Sequence, residues 1–312
     1  MTNTALAGAQ APAAGRRRKT AAPTPTGPDR IPRPSQGWYR DKVTGEKYRR
    51  VTTILSQGST KGDILSRWAA NLVAETAFAH LPQLVAASRR PETRTETYDW
   101  LRRAPLRKKD ERADIGSAVH SIIEAHVLGE PMPVGLVNDP EMAPYLDNFL
   151  RFVEDWQVTF EASEMVVGNR TAGYAGTLDY LLRSHLITAA LSDRLGVEVP
   201  LDSVLMGDTK TGGELDVKGV YPEASLQMSA YRKAEVAWLR DGSTVPMPAT
   251  YAHGVVLHLR PEGYRLIPVA CGDDVFAAFR IVQQAADWVS GLSKTVVGQA
   301  LALPTTEEKA AA

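Results

Sequence analysis

Asp208 and Lys210 stand two positions apart in "VLMGDTKTG". On a β-strand that spacing places both side chains on one face, and the apolar lead-in Val204–Met206 makes the strand a central one. A carboxylate and an ammonium, an acid and a base, projecting together from a buried strand make an unusual arrangement that could serve acid–base chemistry. The Lys-Thr pair does not make a phosphate loop: G-x-x-x-x-G-K-[ST] is absent and the glycines follow the lysine. Asp179 is set in "GYAGTLDYLL", an otherwise apolar strand. A carboxylate buried there costs on the order of several kcal/mol unless it is paired or binds metal, and Gly173 and Gly176 leave room for a close backbone approach. In "GSAVHSIIE", Gly116, His120 and Glu124 follow at i, i+4 and i+8 and share one helix face, apart from the apolar face of Ile115, Val119 and Ile122. Gln227 and Tyr231 are i, i+4 in "SLQMSAYRKAE". Each feature has a plainer reading: a lone helical histidine is more often structural, an Asp can end a strand, and a Tyr can sit at a core edge.

The elements that must carry these residues follow from periodicity. Ile115, Val119, Ile122, Ile123 and Val127 predict a helix stopped by Gly129, and Tyr145, Phe149, Phe152 and Val153 predict a second over about 141–156. "SEMVVGN", "YAGTLDYLLR" and "DSVLMGDTKTG" read as three strands. A helix is expected from Pro222 to about Leu239, then strands in "YAHGVVLHL" and "YRLIPVA", then a helix over about 274–289. Three consecutive strands favour an α/β fold with a central mixed sheet flanked by helices over a strict βαβ repeat. Upstream, a short strand is expected around Val51–Leu55 and a helix from Asp63 to His80, followed by a basic, partly helical stretch from Thr93 to Arg112. The expected organisation is a disordered basic tail (1–36), a basic helical region packed on the core (37–112), the core (113–300) and a flexible tail (301–312).

Taken in order, the four features resemble the PD-(D/E)XK nuclease superfamily and, within it, the RecB-like exonuclease group. There a helix His, a strand Asp, an acid-x-Lys strand and a Gln-x-x-x-Tyr helix follow one another; here they are His120, Asp179, Asp208-Thr209-Lys210 and Gln227…Tyr231. The resemblance is detailed from Gly116 to Tyr231 and looser to Val289. "GYAGTLDYLL" is also similar to phage-encoded recombination exonucleases, and the "RVTTIL…W" region to their N-terminal helical part. The resemblance implies a restriction-endonuclease-like core and a metal-dependent DNA exonuclease of phage-type recombination, repair or replication. It implies one or two Mg²⁺ or Mn²⁺ ions held by His120, Asp179, Asp208 and Thr209, with Asp179, Asp208 and Lys210 catalytic. Gln227 and Tyr231 would hold substrate or support the lysine, and Glu124 and Glu164 would support the ligands. Glu164 reads equally as an edge-strand surface acid. Three features depart from the pattern. The acid is Asp rather than Glu. The 29 positions between Asp179 and Asp208 hold "SHLITAALSDRLGVEVP", read as an insertion over 183–200. The chain's single cysteine, Cys271, excludes a four-cysteine iron–sulfur cluster and a four-cysteine zinc site within it. A helicase signature is absent. The alternatives are a catalytically silent nucleic-acid-binding or assembly module on the same fold, and a structure-specific endonuclease.

Composition supports these expectations without selecting among them. The 312 residues are 44% hydrophobic and 23% charged, an ordinary globular balance, with no membrane-length apolar run and no secretory pattern. A cytoplasmic protein is expected, in the host cytoplasm if phage-encoded. Net charge is zero but divided: residues 1–112 carry 22 Lys+Arg against 10 Asp+Glu, and residues 113–312 carry 14 against 26. A basic front half suits a polyanion and an acidic back half suits divalent cations. Arg16–Lys19 is a basic cluster of the kind that touches phosphates or is merely solvated. The expected partners are DNA and a recombinase or single-strand annealing protein.

Overall fold

The structure, a computed structural model, describes residues 27–215 and 220–301. Strands β1 (Arg33–Ser35) and β2 (Trp38–Arg40) form a hairpin through Gln36 and Gly37, both left-handed at φ 49° and 83°. This turn matches strand twist, and glycine takes its second position without strain. β3 (Lys47–Arg50) returns antiparallel to β2, and the chain turns directly into α1 (Val51–Gly58). The strand expected at Val51–Leu55 is therefore helical. Its β-branched run Val-Thr-Thr suggested a strand, but Val51, Ile54 and Leu55 are buried at helical spacing.

A helical arm follows: α2 (Lys61–Ala79), α3 (Leu81–Ser88), α4 (Arg94–Arg102) and α5 (Ala104–Leu128). α3 and α4 bury no residue, whereas α5 buries Val119, Ile122 and Ile123 and stops at left-handed Gly129. The expected division at 112/113 falls inside α5, because five of the six residues in "RKKDER" are strong helix formers and no Gly or Pro interrupts the run. The expected tail over 1–36 lies outside the described residues as far as position 26, and its last residues enter β1. The tail over 301–312 lies outside them beyond 301.

Next come α6 (Val134–Val137), α7 (Ala143–Asp155), β4 (Thr159–Asn169), β5 (Tyr174–Arg183) and α8 (His185–Leu195). They are followed by β6 (Leu205–Lys210), α9 (Glu223–Arg232), β7 (Val236–Trp238) and β8 (Thr244–Pro246). β9 (His253–Arg260), β10 (Gly263–Ala270) and α10 (Asp273–Ser290) close the order. The segment read as an insertion holds α8, capped by Ser184, whose Oγ accepts the Ile187 N–H at 3.1 Å. The helix expected to reach Leu239 ends at Arg232, and Val236, Ala237 and Trp238 are buried as a strand too short to register as periodicity.

Among the described residues, ten strands form one mixed, largely antiparallel sheet flanked by helices, so the fold is α/β. Alternate residues serve two cores. Leu181, Met206 and Val256 pack with Ile54, Met228 and Phe279 of α1, α9 and α10. Tyr180, Leu205 and Val255 pack with Ile122, Phe149 and Ile187 of α5, α7 and α8. β5 is the hub. One side is paired with β4. On the other side β3 joins in parallel at Tyr174 and Ala175, and β6 joins antiparallel at Tyr180–Leu182. Between those two partners, Gly176 to Asp179 pair with no strand on that side among the described residues.

This fork is held by close contacts at two glycines. A Cβ on Gly176 would lie 2.3 Å from the buried Tyr231 ring, and one on Gly207 would lie 1.9 Å from the Tyr180 ring. Gly176→Ala is expected to destabilise the protein by about 1–3 kcal/mol, an overpacking cost, because the ring on α9 must move. Denaturant titration measures it, and an unchanged midpoint would show that Tyr231 is not fixed as described.

Candidate metal centre and active site

Three donors meet at the fork. In the β4·β5 ladder Ser163 pairs with Tyr180 and Met165 with Leu178, which leaves Glu164 and Asp179 facing each other. Glu164 has φ 47°, left-handed backbone within a strand. For a residue with a Cβ such a conformation costs on the order of 1–3 kcal/mol and persists only where the surroundings impose it. α5 lays His120 across the pair. Its Nδ1 is 3.1 Å from Glu164 Oε1 and its Nε2 is 3.7 Å from Asp179 Oδ2. One ligand atom from each of His120, Glu164 and Asp179 lies within 4.8 Å of the other two. Two carboxylates and an imidazole at that separation fit a divalent cation.

The charges on this triad are interdependent. Burial works against the His120 imidazolium, but the Glu164 hydrogen bond and the charges of Asp179 and Glu164 outweigh it and push its pKa up to about 9. Burial raises the Asp179 carboxyl above the usual carboxylate range, and the charge of Asp208 raises it further, against the pull of His120 and Lys210. Asp179 Oδ2 accepts the Thr209 N–H at 2.7 Å. That contact links the two strands just beyond the last β5·β6 pair, Tyr180–Gly207.

Beside the triad is a second group. Lys210 Nζ lies 2.7 and 2.6 Å from the two Asp208 oxygens, and Gln227 Nε2 donates to Asp208 Oδ1 at 3.2 Å. The Asp208 side chain is 5% exposed and that of Lys210 is 43% exposed, so the pair is buried at its acid end and reaches solvent along the lysine side chain. Burial lowers the Lys210 pKa, but the charges of Asp208 and Asp179 more than compensate and hold it raised.

The structure therefore divides the residues expected at the site. His120 and Asp179 come together, and Glu164, expected as a supporting group, stands with them as the third side chain that could hold a metal ion. Asp208, expected as a ligand, has its carboxylate held by Lys210 and Gln227. Thr209 serves Asp179 through its main chain, while its hydroxyl is buried on Tyr180 at 3.1 Å. Tyr231 packs over Gly176, three residues before Asp179. Glu124 is not drawn in, since its carboxylate pairs with Arg240 at 2.7 Å. Sequence reasoning also missed Tyr39, whose hydroxyl meets Thr177 Oγ1 at 2.9 Å and ties β2 to the strand of Asp179. Glu164 had a legible signal. The hairpin closes on Asn169–Tyr174, and counting five residues back along each strand puts Glu164 opposite Asp179.

No model of a known protein family matches the chain, and no curated protein sequence matches it. Among the described residues, no helix is long and apolar enough to cross a membrane.

Proposed function

We propose that this chain is a metal-dependent deoxyribonuclease built on a restriction-endonuclease-like, PD-(D/E)XK core, acting as a DNA exonuclease in phage-type recombination, repair or replication. The observation that carries the reading is the fork of β5 and β6, which sets the His120–Glu164–Asp179 triad against the Asp208–Lys210–Gln227 cluster. Mg²⁺ or Mn²⁺ bound by the triad would polarise a phosphoryl oxygen and lower the pKa of water. Lys210, partly open and fixed by Asp208, is the cation placed to meet charge developing on the phosphate or to orient the attacking water. Gln227 holds Asp208, and so holds the lysine through it. Tyr231 and Tyr39 wall the site from α9 and β2.

The test is digestion of end-labelled linear duplex, linear single strands and closed circles with Mg²⁺, Mn²⁺ or EDTA. Short products released from ends only with metal are expected. Cutting of the circle would make the enzyme an endonuclease, and no cutting under any condition would leave a catalytically silent module on this fold.

A further inference from the structure

β6 ends at Lys210, and β9 holds that end. The ladder of β6 with β5 stops at Gly207, with the Thr209 N–H bond to Asp179 beyond it, whereas the ladder with β9 runs on to Lys210, paired with His258. Past Lys210 the chain leaves the sheet, and two β9 side chains take hold of it. Arg260 Nη1 donates to the Thr211 carbonyl at 2.6 Å, and His258 Nε2 lies 2.8 Å from the Gly212 carbonyl. A carbonyl oxygen only accepts, so Nε2 carries the imidazole proton and Nδ1 is bare. β9 is itself anchored at this point, because Asn148 of α7 donates to the Arg260 and Pro261 carbonyls at 2.8 and 3.0 Å. The held segment also lies against the helix of His120. A Cβ on Gly116, one turn before His120, would stand 3.6 Å from Thr211 Oγ1.

Stability alone does not account for a histidine here. His258 is 1% exposed, and its Nδ1 has no hydrogen-bond partner among the described residues. A buried polar atom left unpaired costs about 1–3 kcal/mol, which an aliphatic side chain of similar size would avoid. What the imidazole supplies is one N–H, directed at the carbonyl two residues after Lys210. Where that main chain lies decides where the ammonium stands, and the ammonium is 2.6–2.7 Å from the Asp208 oxygens.

We propose that His258 and Arg260 are positioning residues that fix the main chain after Lys210 and thereby hold its ammonium beside Asp208 in the candidate site. The consequence for cleavage rests on the nuclease reading, whereas the clamp itself does not. The full chain is tested in three variants. H258Q keeps an amide N–H at about the reach of Nε2, H258L has none, and R260M keeps the apolar stem without the donors.

The first measurement needs no DNA. In EDTA, the rate at which an amine-reactive ester acylates Lys210 is followed by peptide mass spectrometry. The other lysines serve as references, and the buried Cys271 thiol reports general opening. Acylation of Lys210 is expected to rise several-fold in H258L and R260M and to stay near the unaltered level in H258Q, with Cys271 still protected. The second measurement is cleavage. In H258L kcat should fall on the order of 10²-fold, the scale of a misplacement of about 1 Å at a reacting centre, while KM for DNA and Mn²⁺ affinity stay level and H258Q recovers most of the rate. Unchanged Lys210 acylation in H258L and R260M would overturn the proposal, as would equal effects of H258Q and H258L or a rise matched by exposure of Cys271. If the unaltered chain cuts no DNA, the nuclease reading fails and the acylation rates still decide the clamp. If it cuts and H258L cuts as fast, the proposal fails and the nuclease reading stands.

Discussion

Lys210→Ala is expected to slow DNA cleavage by roughly 10²–10⁴-fold, about 3–5 kcal/mol of transition-state stabilisation, the usual loss for one positioned charged group. Its melting temperature is expected to drop by less than about 4 °C. The second half of that expectation comes from exposure. A structural ion pair buried at both ends loses about 3–5 kcal/mol when one partner is removed. Here the lysine side chain is 43% exposed, so water can reach the Asp208 carboxylate once it is gone, and Gln227 remains as a donor. Metal binding should persist, since an ammonium is not a ligand for a hard cation. Turnover and melting measured on the same variant decide the matter. Near-normal turnover would refute the catalytic role, and a large fall in stability would make the pair structural.

The second large effect concerns which acids hold the metal. Glu164→Gln and Asp179→Asn should each weaken Mn²⁺ or Mg²⁺ binding by more than the roughly 10–100-fold that follows loss of an outer partner. Asp208→Asn should weaken it less, because its carboxylate is turned to Lys210 and Gln227. The opposite order would restore the ligand set of His120, Asp179 and Asp208 that motif order suggests. Binding should also release protons. The His120 pKa is raised to about 9 and that of Asp179 is raised as well, so both are protonated to a greater degree than free side chains at neutral pH. Ligands must lose those protons to coordinate. Affinity should therefore climb as pH rises from about 7 toward about 9 and fall as pH drops. Calorimetry in buffers of different ionisation enthalpy counts the protons, and affinity that falls across that rise in pH would contradict the ligand assignment.

Much of the core's element order was legible, because its helices and strands are long enough for their burial periods to show. α7 and α10 fall within a residue or two of the spans expected from Tyr145–Val153 and from 274–289. The short elements were not legible. β1, β2 and β7 have three residues each, and their pairing rather than their pattern makes them strands. The Gln-Gly turn between β1 and β2 was the available cue in a stretch whose composition otherwise suggested disorder. Of the candidate site residues, Asp208 and Lys210 stood out by their i, i+2 spacing and Asp179 as a carboxylate in an apolar strand, whereas His120 stood out only by its place in the order of the four features. The placement of Glu164 depends on the register of β4 against β5, which can be counted back from the hairpin turn, and on a left-handed backbone angle, which is not written in local residue types. The parallel docking of β3 onto β5 is a long-range contact with no local signature at all.

The left-handed backbone at Glu164 bears on how this sequence would drift under mutation. Selection for stability alone would favour glycine, which occupies that conformation freely, or asparagine, which tolerates it. Either change would ease the fold and discard the carboxylate facing His120 and Asp179. On the metal-binding role proposed above, a glutamate there is a position where fitness and thermodynamic ease pull apart. Loss of function is the recurrent cost of stabilising changes, because a change that stabilises the fold can remove a group that function requires.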